Sequence, residues 1–408
     1  MERYRLFDRE VRGDHPDLPG LLAAAHAERA RARCLCREDD ELPLYVSARQ
    51  GGHVLARWPG TGARHAPDCA HYDAPDELTG KGQVQGSAIV EDEETGEATL
   101  KLGFPLARGA ARSAPAALTN DKPSVVSKGT RLSMRGLLHF LWDRAELTHW
   151  HPRMGGKRDW YVVRRALLNA ATTCRTKGEP LLKTLFVPER WSSAKKDEIA
   201  GRRHAELAGA RTSKDAIMVV VGEVKAIEPA RFGEKLGILH LPDWPFVMNE
   251  DMARRFHKRF AVEEELWRGE GRDNHLVMAA SFSIGASGLP QLYEVAVMPV
   301  TAEWLPYETH EERALIAKAV GEERHFVKGL RFNLGLDVPV ASLTLTDTGR
   351  AGTAVYLARN LPDPAYDEAL AALMRTAGVQ HAVWRPGERL PVPALRRLGI
   401  HQPVLPAA

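Results

Sequence analysis

Three of the chain's four cysteines fall within residues 34–69, and this clustering constrains the fold more than any other feature. Cys34 and Cys36 are separated by one residue, and His65 precedes Cys69 by four. Zinc in structural sites takes four thiolate or imidazole ligands in a tetrahedron. Since a helical turn brings residues four apart to the same side, His65 and Cys69 can share a metal with the other two. We therefore predict a Zn²⁺ site formed by Cys34, Cys36, His65 and Cys69.

Two alternatives to this ligand set stay open. The first replaces His65 by His71, which lies two residues beyond Cys69, although Pro67 and Asp68 suit the turn that His65 needs. The second is that the thiols are ordinary buried side chains near a surface histidine. If four protein side chains fill the tetrahedron, no position is left for water, so the predicted zinc is structural and not catalytic.

The segments around the cysteines predict a β-rich module over residues 1–106. Residues 42–49 alternate in polarity before a Gly-Gly pair, and residues 54–62 return as a second strand that ends in a Pro-Gly turn. A hairpin between paired ligand groups is typical of a zinc ribbon. Residues 107–128 are rich in Ala, Ser, Pro and Gly with no apolar period, which is typical of a linker.

A basic helical domain is predicted over residues 129–214. Within residues 128–203 there are 17 Lys and Arg against 7 Asp and Glu. Apolar side chains recur at helical spacing over 131–147 and 159–175, with Cys174 on a buried face. Two interpretations of this pair of helices remain open. They form either a winged-helix unit or a helical hairpin with a solvated basic face.

The positive surplus favours contact with the phosphates of a nucleic acid. A second basic patch lies in a charged helix predicted over residues 249–268. The residues expected to contact nucleic acid are Arg131, Arg135, His149, Arg153, Lys157, Arg158, Arg164, Arg165, Arg254, Arg255 and Lys258.

Catalytic residues are harder to find, and none is assigned. A β-rich domain over 215–305 contains Asp215, Glu223 and Lys225, an arrangement that metal-dependent nucleases use, but Glu-x-Lys is frequent at exposed strand ends. His149 and His151 are possible general bases, and they are equally ordinary loop residues beside a tryptophan. The prediction therefore leans against an enzyme.

The last domain, over residues 306–408, resembles the core of the PD-(D/E)xK nucleases in its predicted order of helix, strand, strand, helix and strand. An active member would carry Asp near Ala341 and Glu-x-Lys near Tyr356, and neither is present. Asp347 alone does not replace them. The resemblance therefore implies a degenerate site.

The whole chain also resembles a bacterial domain-of-unknown-function family, number 1173, found on plasmids and integrative elements. The resemblance rests on four segments: Cys34–Cys36, Leu55–Gly62 with His65 and Cys69, Leu137–Trp142, and Phe326–Asn333. It implies an association with mobile DNA and supplies no mechanism. DNA is accordingly expected as a partner rather than RNA.

Composition limits the remaining possibilities. A chain of 408 residues with 44% hydrophobic and 27% charged residues is expected to form an α+β, multi-domain globular protein. No apolar run approaches the length of a membrane span, and we expect a cytoplasmic protein without a membrane partner. No Walker loop, nucleophile elbow or dinucleotide fingerprint is present.

The predicted function is a non-catalytic, zinc-containing protein that binds nucleic acid for a mobile element or its defence or transfer machinery. Two alternatives remain: a nuclease that depends on divalent metal, and an interaction subunit of a larger nucleoprotein complex with protein partners.

Overall fold

The structure, a computed structural model, is of the mixed α+β class. It describes residues 2–49, 52–92, 95–107, 129–212, 215–269, 274–285, 288–349 and 351–393. The predicted linker, 107–128, lies outside the described residues except for its first position.

Ten α-helices and twenty strands are present in these ranges. The helices are α1 (Leu18–Ala27), α2 (Lys81–Val84), α3 (Met134–Arg144), α4 (Trp160–Ala171), α5 (Lys196–Glu206), α6 (Ala208–Thr212), α7 (Glu250–Arg259), α8 (Ala261–Gly269), α9 (His310–Gly321) and α10 (Pro364–Thr376). The first ten strands are β1 (Arg3–Leu6), β2 (Arg9–Arg12), β3 (Ala32–Cys34), β4 (Leu42–Arg49), β5 (Gly52–Arg57), β6 (Ile89–Glu91), β7 (Ala98–Leu100), β8 (His149–Trp150), β9 (Cys174–Thr176) and β10 (Glu179–Pro180). The others are β11 (Leu185–Phe186), β12 (Met218–Pro229), β13 (Glu234–Ile238), β14 (Leu241–Met248), β15 (His275–Ile284), β16 (Pro290–Val300), β17 (Phe326–Lys328), β18 (Leu343–Leu345), β19 (Thr353–Leu357) and β20 (Gln380–Trp384).

The N-terminal sheet carries the predicted hairpin. Its five antiparallel strands follow the order β2-β1-β3-β4-β5, and β4 pairs with β5 as the alternation predicts. Leu42 and Leu44, two residues apart on β4, are fully buried, because alternate side chains of a strand face the same side. They pack with Leu6, Leu22 and Ala25 of β1 and α1 in one apolar cluster.

The longest strands close into a barrel. Strand β12 pairs with both β13 and β15, and β14 pairs with β16, so that the ring β12-β13-β14-β16-β15 returns to β12. The β14–β16 pairing is parallel, whereas the other four pairings in the ring are antiparallel. Helices α7 and α8 connect β14 to β15. Strand β11 extends the barrel by pairing with β12.

Two further sheets join strands that are far apart in sequence. One has the order β10-β9-β7-β6, and the other has the order β20-β19-β18-β17-β8. Strands β7 and β9, which pair directly, lie on opposite sides of the predicted linker. Strand β8 pairs with β17, although the predicted boundaries assign them to different domains. These boundaries, the zinc ribbon, the winged helix and the nuclease-like fold stay predictions.

The helices begin where side chains cap them. Ser133 accepts a hydrogen bond from Gly136 N at the start of α3, and Asp159 accepts one from Val162 N at the start of α4. Both helices are shorter than predicted, and Cys174 lies in β9, just beyond α4. Helix α9 ends at Gly321, and the chain then enters β17.

Among the described residues, no helix combines the length and apolar content needed to cross a membrane.

Candidate metal centre

Four short segments position the predicted ligands. Cys34 ends β3, Cys36 follows in the turn toward β4, and His65 comes directly after a short 3₁₀ helix, Gly62–Arg64. Cys69 N donates to Ala66 O, so a tight turn rather than a helical turn brings Cys69 beside His65. The sheet and the turn therefore meet at one corner of the N-terminal module.

The four side chains form a cluster that could bind a metal ion. One ligand atom from each of Cys34, Cys36, His65 and Cys69 lies within 4.8 Å of the others. The Sγ atoms of Cys34 and Cys69 are 3.6 Å apart, and His65 Nδ1 lies 3.5 Å from Cys36 Sγ and 3.8 Å from Cys69 Sγ. His65 and Cys34 are buried, whereas Cys36 and Cys69 are partly exposed.

Hydrogen bonds among the three thiols lower the pKa of Cys36 and raise those of Cys34 and Cys69. Ala66 N and His71 N each lie 3.4 Å from a sulfur, that of Cys36 and Cys69 respectively. Hydrogen bonds from the thiols of Cys34 and Cys69, and then from His65, lower the pKa of Cys36 far below its ordinary value. The hydrogen bond to Cys36 raises the pKa of Cys34 to about 11. Because the thiolate is the form that binds metal, a bound ion would displace the protons that Cys34 and Cys69 retain.

His71, the alternative ligand, has a different place. It is buried, packs edge-on against Tyr4 with ring centroids 5.7 Å apart, and lies 5.6 Å from the ring of His65. The metal-binding group in the described residues includes His65 and leaves His71 outside. The structure thus brings together the four side chains of the favoured set.

A charged cavity of about 520 Å³ adjoins this corner. Its walls come from β5, from the loop after Cys69, and from α3 and α4. Lys81 lies at the wall, with its Nζ 3.3 Å from Asp73, 3.4 Å from Asp76 and 3.3 Å from Asp143. Arg57 donates to Asp73 at 2.8 Å, so two cations face three aspartates at this wall.

Burial sets the ionisation of this group. Desolvation raises the pKa of Asp143 and of Asp76 above the ordinary range, and the neighbouring carboxylates add to the rise. Desolvation alone would also raise the pKa of Asp73, but Lys81 and Arg57 lower it below that range. The aspartates therefore hold Lys81 and Arg57 firmly charged inside the protein.

Comparison with known protein families decides where the chain belongs. The family model described as "Protein of unknown function (DUF1173)" matches residues 4–387, which is nearly the whole chain. The chain belongs to the DUF1173 family. No curated protein and no solved structure matches it significantly.

Several predicted phosphate-binding residues of this DUF1173 chain instead hold its own backbone. Arg135 donates to the carbonyls of Phe332, at 3.0 Å, and of Leu334. Arg164 donates to Val187 O at 2.9 Å. His149 Nε2 lies 3.1 Å from Tyr72 O. These contacts stabilise the packing of distant segments.

Arg158 and Arg131 also contact carbonyls. Arg158 donates to Leu147 O at 2.9 Å and lies 5.7 Å from the ring centroid of Trp150, and burial lowers its pKa to about 10. Arg131 is exposed and donates to Leu102 O at 3.3 Å.

The remaining predicted contacts lie at the surface. Arg254 and Arg255 both bind Asp251 one turn earlier in α7, and the nearby Lys258 also has a partner. In contrast, the side chains of Arg153, Lys157 and Arg165 are exposed and make no ion pair with the described residues. The guanidinium of Arg165 lies 5.7 Å from the ring centroid of Tyr161.

The residues of the nuclease alternative have other surroundings. Asp215 is exposed just before β12, and Lys225 is also exposed. Glu223 is buried, and its Oε1 lies 2.7 Å from His275 Nδ1. His151 accepts a hydrogen bond from Arg153 N, and its ring lies 4.1 Å from that of His325.

Sequence reasoning missed the charged cavity and the partners of Glu223. Lys81 and Asp143 are 62 positions apart in the sequence, so no local spacing signals their contact. Asp73 and Asp76 lie only three positions apart, but two carboxylates at this spacing form no recognisable motif.

Proposed function

We propose that the chain is a zinc-containing protein that binds nucleic acid. The observation that carries the proposal is the strand order of the barrel. We number the five barrel strands in chain order, starting from β12. Neighbours around the ring are then the first, second, third, fifth and fourth strands, and helices lie between the third and the fourth in the chain. This is the order of the OB-fold, a Greek-key barrel that binds oligonucleotides with its second and third strands and adjoining loops.

The loop between the first two barrel strands supports this use. Phe232 lies in that loop with 69% of its surface exposed, so most of its side chain is accessible to a ligand. The guanidinium of Arg231 lies 5.3 Å from its ring centroid, and the neighbouring Lys235 is exposed. Single-stranded nucleic acids bind through bases stacked on such rings and phosphates held by nearby cations.

The exposed face of α4 offers a second surface of similar chemistry. Tyr161 is 58% exposed beside Arg165, and Arg153 and Lys157 precede the helix. Arg153, Lys157 and Arg165 are the predicted phosphate contacts whose side chains are exposed and make no ion pair with the described residues. We assign phosphate binding to them and a structural role to Arg135, Arg158 and Arg164.

Zinc fits the Cys34, Cys36, His65, Cys69 cluster better than a hard cation does. With bonds of about 2.3 Å to sulfur and 2.0 Å to nitrogen, a tetrahedron spaces two sulfurs about 3.8 Å apart and sulfur and nitrogen about 3.5 Å apart. The separations of 3.6, 3.5 and 3.8 Å agree with these values. Magnesium and calcium require oxygen ligands, which this cluster lacks. Four protein ligands leave no open position, so the zinc would be structural.

The partner class remains a proposal as well. We propose DNA of a mobile element as the partner, with proteins of its transfer or defence machinery as further partners, in the cytoplasm. The motif resemblance to plasmid-borne proteins motivates this choice, and the charge surplus of residues 128–203 is compatible with it.

Binding to short single-stranded DNA and RNA, followed by fluorescence anisotropy, tests the proposal. Affinity should fall about tenfold or more between about 50 and 200 mM salt, since bound cations release counterions from the phosphates. Phe232→Ala should weaken binding by about 1–3 kcal/mol through lost stacking. Leu361→Ala, which removes a 79% exposed apolar side chain elsewhere, is the matched control and should not weaken it. Absent binding at low salt, or binding independent of salt, would overturn the proposal.

A further inference from the structure

The barrel holds a second group of polar residues that the binding function does not use. Glu223 of β12 is 7% exposed and lies between two imidazoles. His275 Nδ1 is 2.7 Å from its Oε1, and His240 Nε2 is 3.7 Å from its Oε2. His240 occupies the turn that joins β13 to β14, and His275 begins β15. Three strands thus bring one carboxylate and two histidines together.

Each imidazole stacks on the ring of a tryptophan. The rings of His275 and Trp304 stack with centroids 4.2 Å apart and planes at 11°, and those of His240 and Trp160 stack at 5.2 Å and 26°. Trp304 adopts a φ of +59°, a left-handed conformation that a bulky residue rarely takes. Such conformations cluster at functional sites, where the surrounding structure holds them in place.

The hydrogen bonds determine which nitrogen of each ring is free to react. A carboxylate only accepts, so His275 Nδ1 carries the proton and Nε2 has the lone pair. The described residues supply no partner for that Nε2, and the side chain is 26% exposed. A carboxylate that holds an imidazole in this tautomer is the arrangement that prepares a general base.

His240 lies near the other oxygen of the same carboxylate. The backbone N–H of Trp191 faces His240 Nδ1 at 3.5 Å, so the proton of His240 lies on Nε2, which faces Glu223. This buried Nε2 has no partner within hydrogen-bond distance. Burial lowers the pKa of His240, against the attraction of Glu223, while Arg190 lowers it further. His240 is therefore neutral and lies beside Glu223 without a hydrogen bond to it.

We propose that His275 is the general base of an RNA-cleaving site, with Glu223 as its positioning residue. The inference rests on the proposed binding of nucleic acid, but it takes RNA as the substrate in place of the DNA proposed above as partner. It also departs from the expectation that the chain has no chemistry of its own. His240 ends the β13–β14 ribbon whose opposite end carries Phe232 and Lys235. A nucleic-acid strand that runs along the five residues of β13 covers roughly 16 Å and reaches this cluster.

RNA is the substrate class that one general base serves best, because the ribose carries its own nucleophile. His275 Nε2 takes the proton of a 2′-hydroxyl, and the 2′-oxygen forms a bond to phosphorus. The bond from phosphorus to the 5′-oxygen breaks with its electron pair on that oxygen, which takes the proton back from the imidazolium. The products are a 2′,3′-cyclic phosphate and a free 5′-hydroxyl. DNA lacks the 2′-hydroxyl and is not cleaved by this route.

The test uses the full chain, purified with its metal. The substrate is a short oligonucleotide that has a single ribose in an otherwise 2′-deoxy strand. We expect cleavage at that ribose with a cyclic phosphate end. His275→Ala should lower the rate by about a hundredfold, with partial rescue by added imidazole, which fits between Glu223 and Trp304. Glu223→Gln should lower the rate and change its pH profile, since glutamine does not stabilise the imidazolium. Unchanged RNA affinity shows that each variant is folded.

His257→Gln is the matched control, because His257 also bonds two carboxylates, Glu264 and Glu234, but its ring packs against Phe256 and not against a tryptophan. It should cleave like the wild type. Binding without cleavage overturns this inference and leaves the proposed function intact, whereas absent binding overturns both. Equal rates in wild type and His275→Ala, equal losses in His257→Gln, or cleavage of the fully 2′-deoxy strand also overturn it.

Discussion

Gly62 lies so close to Asp73 that a Cβ atom at Gly62 would be 2.4 Å from the Cβ of Asp73. Gly62 precedes the metal ligand His65 by three residues, and Asp73 follows the ligand Cys69 by four. Since Asp73 also binds Lys81 at 3.3 Å, the metal-binding loop and the charged wall of the cavity pack as one unit.

Gly62→Ala should destabilise the fold because the added methyl group meets side-chain and backbone atoms of Asp73. Overpacking of this kind lowers the free energy of unfolding by about 1–3 kcal/mol, measured by urea denaturation. Gly201→Ala is the matched control, since nothing lies within 4 Å of its added Cβ in α5. That change should be neutral or stabilise by up to about 1 kcal/mol. Equal effects of the two substitutions would contradict close packing at Gly62.

Cys36→Ser should abolish metal binding, because serine supplies no thiolate to complete the four-ligand cluster. Elemental analysis should find zinc in the wild type and little in the variant. Hydrogen exchange should accelerate in β3–β5, while protection in α3 and α4 is retained. Cys174→Ser is the control, because Cys174 is a buried thiol of β9 outside the cluster and its loss should leave zinc content unchanged. Full zinc content in Cys36→Ser would exclude this ligand set.

Lys81→Met should cost about 3–5 kcal/mol of unfolding free energy, because it leaves buried carboxylates without a counter-ion. Asp73, Asp76 and Asp143 all lie within 3.4 Å of Lys81 Nζ. Chemical denaturation measures the loss. Lys183→Met removes a cation of an exposed pair with Glu179 and should change stability by less than about 1 kcal/mol. Similar small losses in both variants would show that the Lys81 cluster is solvated.

The sequence was sufficient for the local features of the metal centre. Cysteine and histidine spacing predicted which four side chains meet, because the ligands lie on a short hairpin and a turn. The chemistry of thiols and imidazoles also limits the metals that fit. The polarity alternation that predicted β4 and β5 likewise depends on neighbours in sequence.

Long-range pairing was beyond sequence reasoning. The closed barrel depends on β12 pairing with β15 some 60 positions later, and no residue in either strand encodes that partner. The same limit applies to charge: Arg135, Arg158 and Arg164 looked like phosphate ligands, but they donate to carbonyls of segments that the fold brings near. A count of basic residues does not distinguish cations at the surface from those bound by backbone.

Asp347→Asn should remove an acid-sensitive part of the stability. Arg324 binds Asp347 through two hydrogen bonds of 2.8 and 2.7 Å, and the two side chains are 3% and 10% exposed. Burial alone would raise the pKa of Asp347, but hydrogen bonds from Arg324 and from His325 N lower it. Because the folded state then holds this proton less tightly than the unfolded chain does, the carboxylate stabilises the fold above its unfolded pKa of about 4.

Urea denaturation across the acidic range checks this expectation. Above about pH 5 the variant should be less stable than the wild type by about 3 kcal/mol, as expected when one partner of a buried pair is removed. The difference should shrink as the pH falls below about 4 and wild-type Asp347 takes up its proton. Asp14→Asn, at an exposed pair with Arg12, should differ from the wild type by less than about 1 kcal/mol throughout. A difference that stays constant or grows at low pH would show that Asp347 does not titrate below its unfolded value.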